Sequence, residues 1–182
     1  MTPNFITEIE FGELFDRFEH TAFRLETQDT YLVKSDQKRF QDWLAGEAET
    51  NADDGKEVSE WHALVRAAVQ VGKLVKRVRV VSEPHTDYTR WLLRRCRHNI
   101  MAGEDIRYLP RSQADGLALP HEDYWLIDSS YALVLHFDGA GILQRFELDE
   151  DPASIVRRNY WRDVAWHHAT TWKEYAAKHL RS

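Results

Sequence analysis

The chain has 182 residues, 43% of them hydrophobic and including seven Trp, eight Phe and seven Tyr, which argues for one packed domain and excludes a disordered chain. Its formal net charge is −6, which argues against direct nucleic-acid binding, and its single cysteine, Cys96, rules out an intrachain disulfide and a cysteine-rich zinc site. No apolar run approaches the roughly 20 residues that span a bilayer, and the amino terminus has acidic residues where a signal peptide has basic ones, so a cytoplasmic protein without membrane contact is expected.

Phe11, Leu14, Phe15 and Phe18 fall on one face of a short helix, with Glu13 available to its first turn. From Thr21 to Thr27, Phe23 and Leu25 alternate with Arg24 and Glu26, the period of a strand. Ser35 is placed to cap a helix that carries Phe40, Trp43 and Leu44 and ends near Gly46, and 51–57 reads as a flexible acidic loop. A longer helix is expected from Glu57 to Lys73, with Trp61, Leu64, Val65, Ala68 and Val71 or Gly72 as its buried stripe and Ser59 or Glu60 near its start. Residues 1–73 thus form a mainly helical portion, and 74–182 the α/β core portion of the same domain.

From Val75 the pattern changes. Lys76-Arg77-Val78-Arg79-Val80-Val81 alternates charged and β-branched residues, a strand with one buried face. After a turn at Ser82-Glu83-Pro84, Thr86 or Asp87 caps a helix whose Tyr88, Trp91, Leu92, Cys96 and Ile100 recur at three and four residue spacing. On that stripe Cys96 is a small core residue rather than a nucleophile. Gly103 ends the helix, and Ile106, Tyr108 and Leu109 lead into a strand closed by Pro110. Strand, helix and strand with short connections predict a right-handed βαβ unit over 75–109 with parallel strands. A loop over 112–120 precedes a β-meander at 123–148, its runs being 123–128, 131–137 and 142–148, with turns at Ser129-Ser130 and at Asp138-Gly139-Ala140-Gly141. One long helix is then expected from Pro152 to Tyr175. The fold class is mixed α/β, a central mixed sheet covered by the amino-terminal helices and this last helix.

The charge is unevenly distributed. Met1 to Val65 carries 6 basic and 15 acidic residues, Arg66 to Arg111 carries 11 and 4, and Ser112 to Ser182 carries 7 and 11, for nets of −9, +7 and −4. The central segment is either an anion-binding surface or is neutralised by acidic parts of the same fold. Arg90, Arg94 and Arg97 share a helix face, Lys76, Arg77 and Arg79 lie on the preceding strand, and Arg107 on the next. Arg79, Arg90, Arg94, Arg97 and Arg107 are therefore the candidate contacts for phosphates or for carboxylates on a partner.

Acid–base chemistry is concentrated around the meander, in His121, Glu122, Asp123, Asp128, His136 and Asp138. A hairpin bringing His136 near Asp128 would make those two the catalytic candidates. However, Asp123 and Asp128 bracket a strand and Asp138 sits in a turn, positions where aspartate serves local backbone hydrogen bonding, so no catalytic residue is assigned. His167 and His168 are adjacent and point about 100° apart on a helix, which makes no ligand pair. No phosphate loop, dinucleotide glycine pattern, HExxH or Gly-x-Ser-x-Gly is present, and neither a cofactor nor a metal centre is expected.

Several blocks resemble those of an actinobacterial family of domains of unknown function: Phe11-Gly12-Glu13-Leu14-Phe15, Ala22-Phe23-Arg24-Leu25-Glu26, Arg77-Val78-Arg79-Val80-Val81-Ser82-Glu83-Pro84, Asp87-Tyr88, Trp91, Ala102-Gly103-Glu104-Asp105-Ile106-Arg107 and Asp123-Tyr124-Trp125-Leu126-Ile127-Asp128. The likeness spans nearly the whole chain. Members of that family are often encoded near helix-turn-helix regulators, which implies a non-enzymatic regulatory accessory protein with a protein partner such as a DNA-binding regulator. In architecture the chain also resembles one half of a phospholipase D-like fold. That family's motif is His-x-Lys with Asp four residues further on, whereas here His136-Phe137-Asp138 stands at the nearest place, so the resemblance implies that the phosphodiesterase chemistry is absent. The alternatives are a binder or enzyme for a phosphate-bearing small molecule, using the basic 76–107 segment, and nucleic-acid binding.

Overall fold

The computed structural model describes residues 3–32, 34–46 and 60–180, without the side chains of 34 and 35. The 51–57 loop and the start of the helix expected from Glu57 lie outside the described residues, and Ser35, expected as a cap, is described in its backbone alone, which is already helical. The chain opens with strand β1 (Asn4–Ile6) and helix α1 (Glu8–Asp16). The helix begins ahead of the Phe11 stripe because Thr7 and Glu10 form a reciprocal capping box that satisfies two of its free N–H groups. Strand β2 (Thr21–Glu26), helices α2 (Lys34–Leu44) and α3 (Glu60–Gln70) and strand β3 (Leu74–Val81) follow.

The βαβ unit forms as the spacing predicts. Helix α4 (Asp87–Ala102) is capped by Thr86 and ends at Gly103, whose φ of 107° lies where only glycine is unstrained. Strand β4 (Asp105–Pro110) returns parallel to β3 with Val78 opposite Arg107. Residues read as a loop instead form one helical turn, α5 (Arg111–Ala114), and a 3-10 turn (Asp115–Leu117). The meander is β5 (Asp123–Ile127), β6 (Tyr131–Phe137) and β7 (Leu143–Asp149), antiparallel throughout. Asp128 and Ser129 between β5 and β6 both have positive φ, as type I′ hairpin turns require.

The expected single last helix is corrected to two. Helix α6 (Pro152–His168) stops at Ala169, whose backbone turns extended. Strand β8 (Thr170–Thr171) then pairs antiparallel with Arg107 and Tyr108 of β4, and Thr171 caps α7 (Trp172–His179) by accepting from the Glu174 N–H. Two β-branched threonines, the second opening a Thr-x-x-Glu cap, outweigh the helical apolar spacing on either side.

The sheet runs β1-β7-β6-β5-β2-β3-β4-β8, with β2, β3 and β4 parallel. The amino-terminal portion therefore supplies a central strand and shares the main core. On one face Phe23, Leu25, Val78, Val80, Leu109, Tyr124 and Leu126 pack under α6 and the 111–120 segment. On the other, α1, α3, α4 and α7 cover Ala22, Val75, Val81, Ile106, Tyr108, Trp125 and Ile127. Helix α2 packs outside α4, Phe40 against Tyr88 and Trp91. Gly141, at φ 82° in the β6–β7 turn, receives the 27–32 loop so closely that an added Cβ would lie 2.5 Å from the Thr30 carbonyl oxygen. Gly141→Ala is expected to lower stability by about 1–3 kcal/mol through strain and this clash, read as a lower urea midpoint with an unchanged slope; an unaltered midpoint would show that the turn relaxes freely.

Candidate functional site

The arginines of β2 and β3 are largely withdrawn from solvent. Arg24, Arg77 and Arg79 lie on the sheet face covered by α1, α3 and α4, among Glu26, Glu104 and Asp123. Glu26 accepts from Arg77 Nη1 and, at 2.6 Å, from Arg79 Nε. Glu104 accepts from Arg77 Nε at 2.6 Å, from Asn99 at 2.8 Å and from the Trp61 indole at 3.1 Å. Asp123, with no exposure, holds Arg24 at 2.9 Å, the Thr27 N–H and hydroxyl at 2.8 Å and the Tyr31 hydroxyl at 2.6 Å. Three guanidiniums and three carboxylates thus balance inside the protein. Burial raises the Glu26 carboxyl, and the guanidiniums of Arg77, Arg79 and Arg24 outweigh it, leaving it at about 2. Of the two origins the sequence leaves open for the basic segment, neutralisation within the fold accounts for the strand arginines. The cavity beside Arg79, Glu26 and Tyr31, about 10 Å³, has room for one water and for no ligand.

Arg107 lies on the opposite sheet face, 3.9 Å from the Trp166 ring centroid and donating to the Trp166 carbonyl at 3.2 Å. The remaining candidates stay together. Arg90, Arg94 and Arg97 are all exposed and, with Met101, repeat at four, three and four residues along the outer face of α4, so the guanidiniums span about 10 Å of helix axis. Arg90 pairs with Asp87 at 3.1 Å, an exposed ion pair of little energetic weight.

Asp128 and His136 are separated by the register. Ile127 stands opposite Tyr131 and Asp123 opposite Leu135, which puts them at opposite ends of the β5–β6 hairpin, about 17 Å apart along the strand. Asp128 accepts from the N–H groups of Glu19, His20 and Thr21 at 2.7–2.8 Å. Burial raises its carboxyl, and these three donors outweigh that and hold it below the ordinary carboxylate range. His136 lies 2.8 Å from Glu147 across the β6–β7 ladder.

A group that the sequence reading misses forms at the carboxyl ends of the three parallel strands, where open α/β sheets bind ligands. Asp29, Ser82 and Arg111 follow β2, β3 and β4 in turn. Ser82 donates to Asp29 through its N–H at 2.8 Å and its hydroxyl at 2.6 Å, and Arg111 reaches Asp29 at 3.1 Å. Beside them the β3–α4 turn carries Glu83 and His85 toward α7. The Tyr175 hydroxyl donates to Glu83 Oε1 at 2.6 Å and lies 3.0 Å from His85 Nε2, and His179 Nε2 lies 3.3 Å from Glu83 Oε1. The Thr89 hydroxyl donates to the Thr86 carbonyl at 3.2 Å and sits 3.1 Å from His85 Nδ1, so Thr89 engages Nδ1 while Nε2 faces the Tyr175 hydroxyl. Burial, with a smaller contribution from His179, lowers the His85 pKa. Arg90 adjoins this cluster by donating to the His85 carbonyl at 3.4 Å. The available sequence signal was Pro84-His85 between a strand end and a helix cap; nothing local ties it to His179.

The eight-stranded sheet and its helices define the class of fold. It is similar to Nuc from Salmonella typhimurium, a phospholipase D family member, with a TM-score of 0.51 at 11% identity over 93% of this chain and 95% of that one. At that identity the likeness concerns the fold alone. The chain itself belongs to the family described as a domain of unknown function, DUF6879, which matches residues 9–177. No curated protein matches it. Among the described residues no helix is long and apolar enough to cross a membrane.

Proposed function

We propose that this domain is a cytoplasmic accessory module that acts by binding, docking on an acidic protein surface through the arginine row of α4. One observation carries the reading: Arg90, Arg94 and Arg97, which stand apart from the buried ion network, are exposed in a row on the outer face of one helix. An open groove of about 300 Å³ between α4 and α7 includes none of them. Guanidiniums in a row suit carboxylates on a partner, which they bind through paired hydrogen bonds and steer at long range. A DNA-binding regulator is the partner class, because the resemblance to domains encoded beside helix-turn-helix proteins implies one. The distance between Asp128 and His136, and the absence of any His-x-Lys pair, favour binding over phosphodiester cleavage.

The test is co-purification from the native cytosol at low salt, followed by reconstitution of the identified partner with purified protein. Replacing Arg90, Arg94 and Arg97 together by glutamate should weaken that reconstituted complex by about 100-fold and flatten its salt dependence, since charges at an interface rim act on encounter and screening. Undiminished affinity in the triple variant would refute the docking surface. Capture of nucleic acid alone, with a steep fall in affinity as salt rises, would replace it with the nucleic-acid reading.

A further inference from the structure

We propose that Glu83, His85 and His179 form a binding site for one divalent transition-metal ion of the zinc class. The site goes beyond the α4 docking surface and uses none of its arginines. Two imidazoles and a carboxylate converge here from separate elements, the β3–α4 turn and the last turn of α7, and each offers one ligand atom within 4.8 Å of the others. Four-coordinate zinc with bonds of about 2.0–2.1 Å places neighbouring ligand atoms about 3.3 Å apart. His179 Nε2 and Glu83 Oε1 already stand at 3.3 Å.

The surroundings orient these ligands. Thr89 engages His85 Nδ1, so Nε2 is the atom turned toward Glu83 and the Tyr175 hydroxyl, 3.0 Å away, and that hydroxyl, which steadies the Glu83 carboxylate, gives up its contact with Nε2 to the ion. Such outer hydrogen bonds fix tautomer and direction in metal sites. Tyr175 is itself held by stacking on Tyr108, centroids 4.8 Å apart and 8° from parallel, and His179 stacks on Tyr175 at 4.3 Å. Glu83 is exposed and His85 and His179 are half-buried, so an ion has a path in from solvent. Two nitrogens and one carboxylate favour zinc, cobalt or nickel over calcium and magnesium, which take oxygen ligands. The fourth position is left to water. A bound ion would pin α7 to the carboxyl edge of the sheet.

Titration of the untagged full chain with zinc chloride by calorimetry should give one ion per chain, and cobalt should give the visible absorption of a four-coordinate N/O site. Glu83→Gln and His179→Ala should each weaken binding by about 100-fold, and Tyr175→Phe by about 10-fold or more, as expected for an outer hydrogen bond. The double variant His167→Ala/His168→Ala, which removes an exposed pair on α6, should bind as the wild type does. The cobalt spectrum of the wild-type chain keeps the test independent of how the variants fold. No saturable binding to the wild type, or binding lost with His167 and His168 and kept without His179, would overturn the proposal.

Discussion

Replacing Glu26 with glutamine is expected to lower the unfolding free energy by about 3–5 kcal/mol, the cost of leaving a buried charge without its partner. Arg77 retains Glu104 and Arg24 retains Asp123, but among the described residues Arg79 keeps only the Tyr108 hydroxyl at 3.3 Å. The loss should be partly reversed by adding Arg79→Met, because replacing both members of a buried ion pair with apolar groups is often neutral. A double variant no more stable than the single one would show that Arg79 is not the orphaned charge. Acid unfolding gives a second readout. The folded carboxyl titrates at about 2 against an ordinary 4.5, so its contribution is complete above pH 4.5 and is lost as pH falls toward 2. Glu26→Gln removes that share of the pH dependence. Urea midpoints measured between pH 7 and pH 2 should converge for wild type and variant at the acid end; parallel curves would contradict the assignment.

Asp128→Ala is expected to cost about 2–3 kcal/mol, less than three charge-assisted hydrogen bonds at full strength, because Glu19 and His20 are exposed and water takes up part of their need. Part of the loss is backbone strain, since alanine must adopt the φ of 48° that Asp128 holds. Asp128→Gly, which relieves the strain and still lacks the acceptor, separates the two. It should recover about 1 kcal/mol of the alanine loss and no more. Full recovery in the glycine variant would mean that the hydrogen bonds contribute nothing and would remove Asp128 from its structural role.

These two residues show where the sequence can be read and where it cannot. Period-two alternation placed β2, β3 and the meander, and the fold class followed from strand–helix–strand spacing and from Gly103. The same alternation misleads about Arg77 and Arg79. It separates two faces of a strand, and inferring that one is wet assumes a strand with a solvated side, whereas β3 lies inside a parallel set with both faces covered. Its charges are tolerated because Glu26, Glu104 and Asp123 arrive from distant parts of the chain. Asp128 looked like a turn residue and is one, but its three donors lie across the sheet. The split between α6 and α7 was legible in Thr171-Trp172-Lys173-Glu174, a capping signature overlooked beneath a helical apolar spacing. His85 and His179 meet only because α7 folds back over α4.

The sheet ends in two very short strands, β1 with three residues and β8 with two. A long bare edge exposes a row of backbone donors and acceptors on which a neighbouring chain can add a strand, and growth by such addition leads to insoluble fibrils. Here Thr170 and Thr171 occupy the outer side of Arg107 and Tyr108, and α7 turns away at once. The interruption of the last helix thus serves a second purpose: it closes the parallel side of the sheet against self-assembly with a segment too short to template another strand.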